Sequence, residues 1–274
     1  MRMKKAFQAM ILGFYRAVLA TGILRTAPGR RIFQWCYGAY KRWFEAGQIH
    51  QLRRFVAPGT TVIDVGANIG FFTRHFAAWV SDPGRVVAIE PDHENFLQLR
   101  RVIESAGYAG VVDLVAGAAA EAGGTLHLAR NPLHPGDHKL GESGVPVTAY
   151  TLDGLLEQRQ WPAVSLIKID VQGAESRVLQ GACETLERCR PALYVEIDDR
   201  ALAESGSSAK QLIDRLMGAG YRCFDLADEA LSKPLDAIAI GQRRAALGYG
   251  DFLFVSSTPL MPPAGSSVKA PPGK

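Results

Sequence analysis

The sequence has few cysteines and no long apolar run, and each shortage excludes a class of protein. The four cysteines among its 274 residues form no CxxC pair and have no spacing with histidine that suits a metal. A disulfide framework and a metal site are therefore not indicated, and the thiols are typical of a reducing cytoplasm. No uncharged apolar run reaches the roughly eighteen residues of a transmembrane helix, so we predict a cytoplasmic protein without one.

Acidic residues are nearly absent from the first 57 positions, which hold eleven lysines and arginines but only Glu45. The rest of the chain holds 20 basic and 26 acidic residues, so the overall charge of +4 conceals a strong asymmetry. Such a basic segment is typical of one that meets an anionic surface. That surface could be lipid head groups, nucleic acid or the acidic face of its own domain.

Residues 1–56 are predicted to form a basic, aromatic-rich helical extension. Eight apolar side chains within residues 7–23 recur at the spacing of one helical face, and Arg16 lies off that face. Two interpretations stay open: a helix packed on the domain, or residues 1–26 in peripheral contact with an anionic membrane at its inner face. A signal peptide is a third interpretation, against which Arg16 and the lack of a small-residue cleavage site argue.

The two flanks of the predicted domain differ in composition. In residues 32–56 aromatic residues stand beside arginines, and such residues can stack on bases but more often pack a lid or fill a core. Residues 257–274 are rich in proline and poor in large apolar side chains, so we predict a disordered tail.

The most informative stretch is residues 61–70, where a strand pattern gives way to a helix pattern across two glycines. Gly66 permits a sharp turn, and Gly70 permits close approach at the start of the helix. The spacing is GxxxG rather than GxGxxG, and no Gly-Lys-Ser/Thr ending follows. Neither a pyrophosphate-bound NAD nor a triphosphate is supported, whereas an adenosine cofactor without phosphate fits better.

Strand and helix patterns alternate from residue 57 to residue 256, which predicts one α/β domain with a doubly wound, mostly parallel sheet. Two segments with period-two alternation, residues 125–130 and 145–148, are predicted to pair with each other. The other predicted strands are residues 61–65, 85–89, 111–115, 166–169, 192–195, 221–224 and 251–255, and the predicted helices are 92–106, 175–188 and 208–218.

Polar side chains follow the predicted strands at the points where these strands end. Asp64 and Asn68 flank the turn after the strand at 61–65. Glu90 follows the strand at 85–89, Asp170 follows the strand at 166–169, and Glu196 follows the strand at 192–195. Ligands of open parallel sheets bind beyond these ends. Glu90 lies twenty residues after the second glycine of the turn, about where an acidic side chain meets ribose hydroxyls in dinucleotide folds.

Five motifs resemble those of the FkbM-type S-adenosylmethionine-dependent methyltransferases. They are DVGANIG at 64–70, AIEP at 88–91, LIKIDVQGAE at 166–175, VLQGA at 178–182 and YVEI at 194–197. The first two occur in many methyltransferases, whereas KIDVxGAE is far more specific to this group. The resemblance covers residues 57–256 and implies a Rossmann-like class I methyltransferase sheet of seven strands, whose last strand inserts antiparallel.

The same resemblance implies S-adenosyl-L-methionine as the cofactor. Its methionine end would lie over the first turn, its ribose would meet Glu90, and its adenine would lie near Ala118. The implied contacts of the methionine end are Asp64, Gly66, Asn68 and Gly70. Around Ala118 the chain lacks the Asn-rich stretch of relatives, so contacts with the base must come from backbone groups. Asp198 stands where relatives often carry histidine, which weakens any role carried over to that position.

Three residues are candidates for the chemistry. Methyl transfer from a sulfonium requires alignment and exclusion of water, and a general base helps when the acceptor is an alcohol. Asp170 and Glu196 are candidate bases by position, with helix capping or binding of the cofactor's amino group as alternatives. His138, in the polar loop 131–139, is a candidate base or acceptor ligand, with a solvated turn as its alternative. Lys168 is predicted to form a salt bridge with Asp170.

We therefore expect a methyltransferase that moves a methyl group from S-adenosyl-L-methionine to a hydroxyl of a small molecule, sugar or lipid-linked glycan. The choice of oxygen follows from the resemblance alone. One alternative is a nucleic-acid methyltransferase that grips its substrate through the basic N-terminus. The predicted strand at 166–169 is followed by DVQG rather than by the Asn/Asp-Pro-Pro-aromatic motif of base methylation, which disfavours this alternative. Another alternative is a non-catalytic, membrane-associated module that keeps the cofactor fold.

Overall fold

The computed structural model of the chain describes residues 46–131, 138–226, 231, 233–245 and 249–257. The predicted helix at 7–23, the contact at 1–26, most of the aromatic stretch at 32–56 and the tail after residue 257 lie outside these residues. So do residues 132–137 of the polar loop. Within the described ranges, no helix is both long enough and apolar enough to cross a membrane.

Eleven strands and nine helices occur in the described part of the chain. The strands are β1 Thr61–Val65, β2 Arg85–Glu90, β3 Val112–Ala116, β4 Ala118–Ala119, β5 Gly124–Ala129, β6 Lys139–Gly141, β7 Val145–Tyr150, β8 Val164–Ile169, β9 Ala192–Asp198, β10 Tyr221–Phe224 and β11 Tyr249–Ser256. The helices are α1 Ala46–Leu52, α2 Phe71–Trp79, α3 His93–Ser105, α4 Leu152–Glu157, α5 Glu175–Gln180, α6 Cys183–Cys189, α7 Asp199–Glu204, α8 Ala209–Gly218 and α9 Ala237–Ala245.

A seven-stranded sheet with the order β10-β11-β9-β8-β1-β2-β3 forms the centre of the fold. The neighbouring strands from β9 to β3 are parallel, whereas β11 is antiparallel to both β9 and β10. This mainly parallel α/β sheet with an antiparallel last strand confirms the predicted fold class. The strand order reverses between β1 and β8, so a crevice is expected beyond their carboxyl ends.

Both faces of β1 are buried, as its β-branched run predicts. Ile63 packs in the cluster that contains Leu152 and Leu212, and Val62 packs in a second cluster on the other side with Phe76 and Leu99. Because β1 is an inner strand of the sheet and is covered on both sides, the turn that follows it starts from a well-packed base.

A second sheet of four short strands, in the order β4-β7-β5-β6, accompanies the first. Thr125 of β5 lies opposite Thr148 of β7 in antiparallel register, so the pairing predicted for these segments is confirmed. β4 and β6 were not predicted, because strands of two and three residues leave almost no periodic signal in a sequence.

One predicted helix differs from the structure. The helix predicted over residues 175–188 is two helices, α5 and α6, separated at Gly181. A Cβ atom on Gly181 would lie 2.0 Å from the carbonyl oxygen of Ala120, so glycine is needed where the backbone of the break meets β4. The helix predicted over residues 92–106 is α3, and Asp92 is its N-cap, whose side chain accepts hydrogen bonds from the N–H groups of Glu94 and Asn95.

Candidate active site

The turn between β1 and α2 is held by the neighbouring strands. The N–H groups of Gly66 and Ala67 each donate to the carbonyl of Ile89 at 3.0 Å. Gly66 has φ +75°, and a Cβ atom there would lie 2.0 Å from the carbonyl oxygen of Asp170. Asn68 is also left-handed, with φ 51°, a conformation that asparagine tolerates better than most residues. These contacts fix the turn in position where β1, β2 and β8 end.

Glu90 is a buried carboxylate at the end of β2, with 5% of its surface exposed. Its Oε2 accepts a hydrogen bond from the N–H of Asn68 at 2.7 Å, and its Oε1 accepts one from the N–H of Asp92 at 2.9 Å. Burial raises the pKa of Glu90 to about 7, against the opposing effect of these two N–H groups. The carboxylate is thus fixed in position and changes charge near neutral pH.

A cavity opens at the carboxyl ends of β1, β2, β8 and β9, and it brings most of the predicted site residues together. Its wall includes seven of the nine candidates: Gly66, Asn68, Glu90, Ala118, His138, Asp170 and Glu196. Leu128 of β5 and Leu140 of β6 also line it, so the small sheet contributes an apolar part of the wall. The alternating pattern of β5 had signalled a strand but not where its side chains lie.

Asp64 and Gly70, the other two candidates, lie behind this wall rather than on it. Asp64 is 0% exposed, and its Oδ2 accepts a hydrogen bond from the hydroxyl of Thr73 at 2.6 Å. A Cβ atom on Gly70 would lie 2.8 Å from Leu99, so this glycine serves the close packing of α2 against α3. Neither residue lines the cavity, because strand alternation turns the Asp64 side chain under α2, and the predicted contact of these two residues with the cofactor stays a prediction.

Lys168 connects the first turn to the end of β8. Its ammonium donates to the carbonyl of Gly66 at 2.7 Å and to that of Val65 at 3.3 Å. It lies 3.5 Å from Asp170 Oδ2, as predicted, and also 3.3 Å from Asp64 Oδ1. The contact with Asp64 is an ion pair without the alignment of a hydrogen bond. Lys168 therefore holds the turn from the wall of the cavity.

Gln172 is a cavity residue that the sequence did not indicate. Its Nε2 donates to Glu196 Oε2 at 2.7 Å and lies 3.4 Å from Asp170 Oδ1, so the carboxamide bridges the two candidate bases. Gln172 occupies the variable position of the KIDVxGAE motif and has φ 51°. The motif indicated that this segment is functional. A residue in the left-handed conformation interrupts strand periodicity, so the sequence pattern could not predict where the Gln172 side chain points.

The segment that carries Gln172 is fixed by a buried acid. Glu175 is 2% exposed, and its Oε1 accepts hydrogen bonds from the N–H groups of Gly173 at 3.0 Å and Val171 at 3.3 Å. Burial raises the pKa of Glu175 to about 7, and the backbone N–H groups oppose this rise. A Cβ atom on Gly173 would lie 2.3 Å from the carbonyl oxygen of Ala201, so the turn packs tightly against α7.

His138 lines the cavity from the small sheet. Its Nδ1 accepts a hydrogen bond from the N–H of Asn131 at 3.0 Å, and its Nε2 lies 3.7 Å from Asp92 Oδ2. A neutral imidazole that accepts at Nδ1 carries its proton on Nε2. In this arrangement the unprotonated nitrogen is engaged by the backbone, and the ring ties the two ends of the polar loop together. His134 and Asp137 of that loop, which are poorly spaced to bind a metal together with His138, lie outside the described residues.

The part of the chain that the structure describes holds no cluster of three or more His, Cys, Asp or Glu side chains suited to a metal ion. The polar groups of the cavity instead pair among themselves or with backbone groups.

Comparison with known proteins identifies a family. The sequence model of the methyltransferase FkbM domain matches residues 64–223, which is more than half of the chain. No curated protein matches it. An FkbM methyltransferase from Methylobacillus flagellatus is 17% identical, with a TM-score of 0.44 over 73% of this chain, and the chain spans 44% of the length of that protein.

Two further solved structures are similar at comparable levels. An O-methyltransferase from Bacillus cereus, solved in complex with SAH, is 15% identical with a TM-score of 0.45, over 77% of this chain and 80% of its own. An rRNA methylase from Streptococcus thermophilus is 11% identical with a TM-score of 0.43, over 75% of this chain and 90% of its own.

Proposed function

The chain belongs to the methyltransferase FkbM domain family, and from this premise we propose that it transfers a methyl group from S-adenosyl-L-methionine to a hydroxyl of a small molecule, sugar or lipid-linked glycan. One observation carries the proposal: the buried Glu90 carboxylate and the bridged carboxylates of Asp170 and Glu196 line the same cavity. A fixed acid suits ribose hydroxyls, and a carboxylate pair suits removal of a proton from an alcohol.

The residues around Glu90 fit the adenosine part of this cofactor. Each oxygen of Glu90 accepts one backbone N–H and keeps a lone pair for a ribose hydroxyl. Ala118 and Leu128 provide apolar surface for a base, and Gly66 lines the part of the cavity that we assign to the methionine end. When bound, the cofactor supplies an electrophilic methyl group on a sulfonium; the protein aligns the acceptor and keeps water out.

Among the three candidate bases, Glu196 fits the proton-accepting role best. Asp170 lies 3.5 Å from the Lys168 ammonium, and a nearby cation makes a carboxylate a weaker base. Glu196 accepts a hydrogen bond from the neutral carboxamide of Gln172 at 2.7 Å. The Nδ1 of His138 already accepts a hydrogen bond from the N–H of Asn131 at 3.0 Å. We therefore assign the proton to Glu196, with Asp170 and His138 in orienting roles.

The cellular setting forms part of the same proposal. The eleven basic residues against one acid in the first 57 positions support peripheral contact of residues 1–26 with an anionic membrane. A protein held this way at the cytoplasmic face of the inner membrane would be close to a lipid-linked acceptor.

Transfer of a radiolabelled methyl group from S-adenosyl-L-methionine to extracted acceptors tests the proposal. The Glu196→Gln variant should bind S-adenosyl-L-homocysteine as the wild type does and lose most of the transfer, because a carboxamide is a far weaker base. Transfer by this variant at the wild-type rate would remove Glu196 from the chemistry. Alkali-labile label or label on nitrogen would contradict transfer to a hydroxyl.

A further inference from the structure

Arg130 connects the small sheet to the start of α3. It directly follows β5, and its Nε lies 2.7 Å from Asp92 Oδ2 while its Nη2 lies 3.1 Å from Glu94 Oε1. The side chain of Arg130 is 39% exposed, whereas that of Asp92 is 2% exposed. The guanidinium therefore reaches from the surface to a buried acid, where a pair of charges is screened less by water than it is between exposed groups.

Asp92 links this arginine to Glu90, the residue that we assign to the ribose. The N–H of Asp92 donates to Glu90 Oε1 at 2.9 Å. Its Oδ1 accepts the N–H groups of Glu94 and Asn95, both at 3.0 Å, and thereby caps α3. Its Oδ2 lies against Arg130. A single buried residue thus joins Glu90, the first turn of α3 and the small sheet, so a change at Oδ2 reaches Glu90 through one intervening residue.

The charge of Asp92 also acts on Glu90. Burial raises the pKa of Glu90 to about 7, and the N–H groups of Asp92 and Asn68 oppose this rise. The Asp92 carboxylate adds to the rise because like charges repel, and the Lys168 ammonium reduces it. A cation held against Asp92 offsets the repulsion between the two carboxylates, so it favours the ionised form of Glu90.

Arg130 is suited to this task among the charged groups that surround Asp92 and Glu90. Lys168 of β8 also forms ion pairs with two other carboxylates. His138 Nε2 lies 3.7 Å from Asp92 Oδ2, and an imidazole is a cation only when it is protonated. Glu94 of α3 is an acid whose side chain is 71% exposed, so water screens its charge. An arginine stays protonated in proteins, so Arg130 supplies Asp92 with a permanent positive charge.

Resting on the proposed function, we propose that Arg130 is a positioning residue for the cofactor, which acts through Asp92 on the carboxylate of Glu90. Arg130 is not among the described residues that line the cavity, so its effect on the ribose passes through its neighbours. By holding Asp92 Oδ2 it keeps the Asp92 N–H directed at Glu90 Oε1, and by offsetting the charge of Asp92 it favours an ionised Glu90. An ionised carboxylate accepts hydrogen bonds from hydroxyls with both of its oxygens.

Replacing Arg130 with glutamine tests this role, because it removes the charge from a partly exposed position. The titration of the Glu90 carboxyl carbon is followed by NMR in the full chain without ligand, with Glu90→Gln to assign the signal. The midpoint should move upward by about half a pH unit or more. The affinity for S-adenosyl-L-homocysteine, measured by calorimetry, should fall about twofold to fivefold at pH 7 and less at pH 9, where Glu90 is ionised in both proteins.

Two further variants distinguish this role from a general disturbance of the small sheet. Arg130→Lys keeps the charge and should restore most of the wild-type midpoint and affinity. Lys139→Gln is the matched control, because Lys139 of the neighbouring β6 pairs with Glu204 at 2.7 Å and its side chain is similarly exposed, at 31%. This control should leave the midpoint and the affinity unchanged. Equal effects of Arg130→Gln and Lys139→Gln, or an unmoved midpoint with the same loss of affinity at pH 7 and pH 9, would overturn the proposal.

The same measurements separate this inference from the proposed function. If the wild type does not bind S-adenosyl-L-homocysteine while the Glu90 midpoint moves in Arg130→Gln and not in Lys139→Gln, the methyltransferase proposal fails and the action of Arg130 on Glu90 stands. If the wild type and Arg130→Gln bind S-adenosyl-L-homocysteine equally and the midpoint does not move, Arg130 has no positioning role and the cofactor assignment stands.

Discussion

Lys168, on the wall of the cavity, places its ammonium 3.3 Å from the carboxylate of Asp64, which lies behind that wall. The two side chains are 3% and 0% exposed, so neither charge is stabilised by bulk water. The same ammonium donates to the carbonyls of the turn that follows β1. The pair thus joins the core to the first turn of the site, and its contribution can be measured as stability.

Replacing Lys168 with methionine should strongly destabilise the fold. Methionine fills a similar volume but leaves Asp64 as a buried charge without a counter-ion, which typically costs about 3–5 kcal/mol. Denaturant unfolding followed by circular dichroism measures the change. Adding Asp64→Asn to Lys168→Met should restore part of the stability, because it removes the uncompensated charge. A single variant as stable as the wild type would show that the pair does not support the turn.

The turn after β1 should tolerate no side chain at Gly66. Gly66→Ala would place a Cβ atom 2.0 Å from the carbonyl oxygen of Asp170, so the turn must move or the fold must weaken. Gly107→Ala is the matched control, because Gly107 has φ +76° and nothing within 4 Å of the added atom. Both variants share the left-handed strain of about 1 kcal/mol, and only Gly66→Ala should lose cofactor binding. If both variants lost the same unfolding free energy and bound the cofactor equally well, the close approach of the Asp170 carbonyl to Gly66 would be contradicted.

Glu175 should make stability depend on pH. Its pKa is about 7 in the fold and near 4.5 when unfolded, so its stabilising contribution is complete below pH 4.5 and is lost as pH rises through 7. The unfolding free energy of the wild type, relative to Glu175→Gln, should therefore fall by roughly 3 kcal/mol at most between pH 4.5 and pH 8. Urea unfolding at several pH values tests this, and parallel curves for the two proteins would contradict it.

Residues 1–26 belong to the basic part of the chain, and we expect them to bind anionic membranes. Sedimentation with anionic vesicles should be lost when these residues are deleted, and it should weaken at high salt because screening reduces surface attraction. Vesicles of neutral lipid are the control for apolar adsorption. Unchanged sedimentation of the shortened protein with anionic vesicles would refute the assignment.

The sequence predicted the central sheet because its signals are strong and local. A β-branched run predicted β1, two glycines predicted the turn after it, and acidic residues at strand ends predicted the edge of the cavity. The family resemblance predicted that β11 is antiparallel. The side-chain directions were not predictable in the same way. Asp64 reads as a strand-end ligand, yet alternation turns it under α2 to Thr73. Gln172 reads as a spacer, yet its left-handed backbone brings it between Asp170 and Glu196.

The part of the cavity wall that the small sheet provides could not be predicted from the sequence. Leu128 and Leu140 reach the cavity through β5 and β6, strands that contact each other across a loop and lie far in sequence from β1. The hydrogen bond from Asn131 to His138 also depends on this loop closure. Contacts between short strands depend on tertiary packing more than on propensity, so a single sequence carries little information about them.

Binding of S-adenosyl-L-homocysteine at two pH values, measured by calorimetry for the wild type and Glu90→Gln, tests the central claim most directly. Glu90 has a pKa of about 7, and its ionised form accepts ribose hydroxyls best, so the wild-type affinity should rise about tenfold from pH 6 to pH 8. The variant should bind more weakly, because its amide N–H₂ would meet the N–H of Asn68 or Asp92, and should show little pH dependence. No binding by the wild type, or equal binding by both proteins at both pH values, would contradict a methyltransferase site built on Glu90.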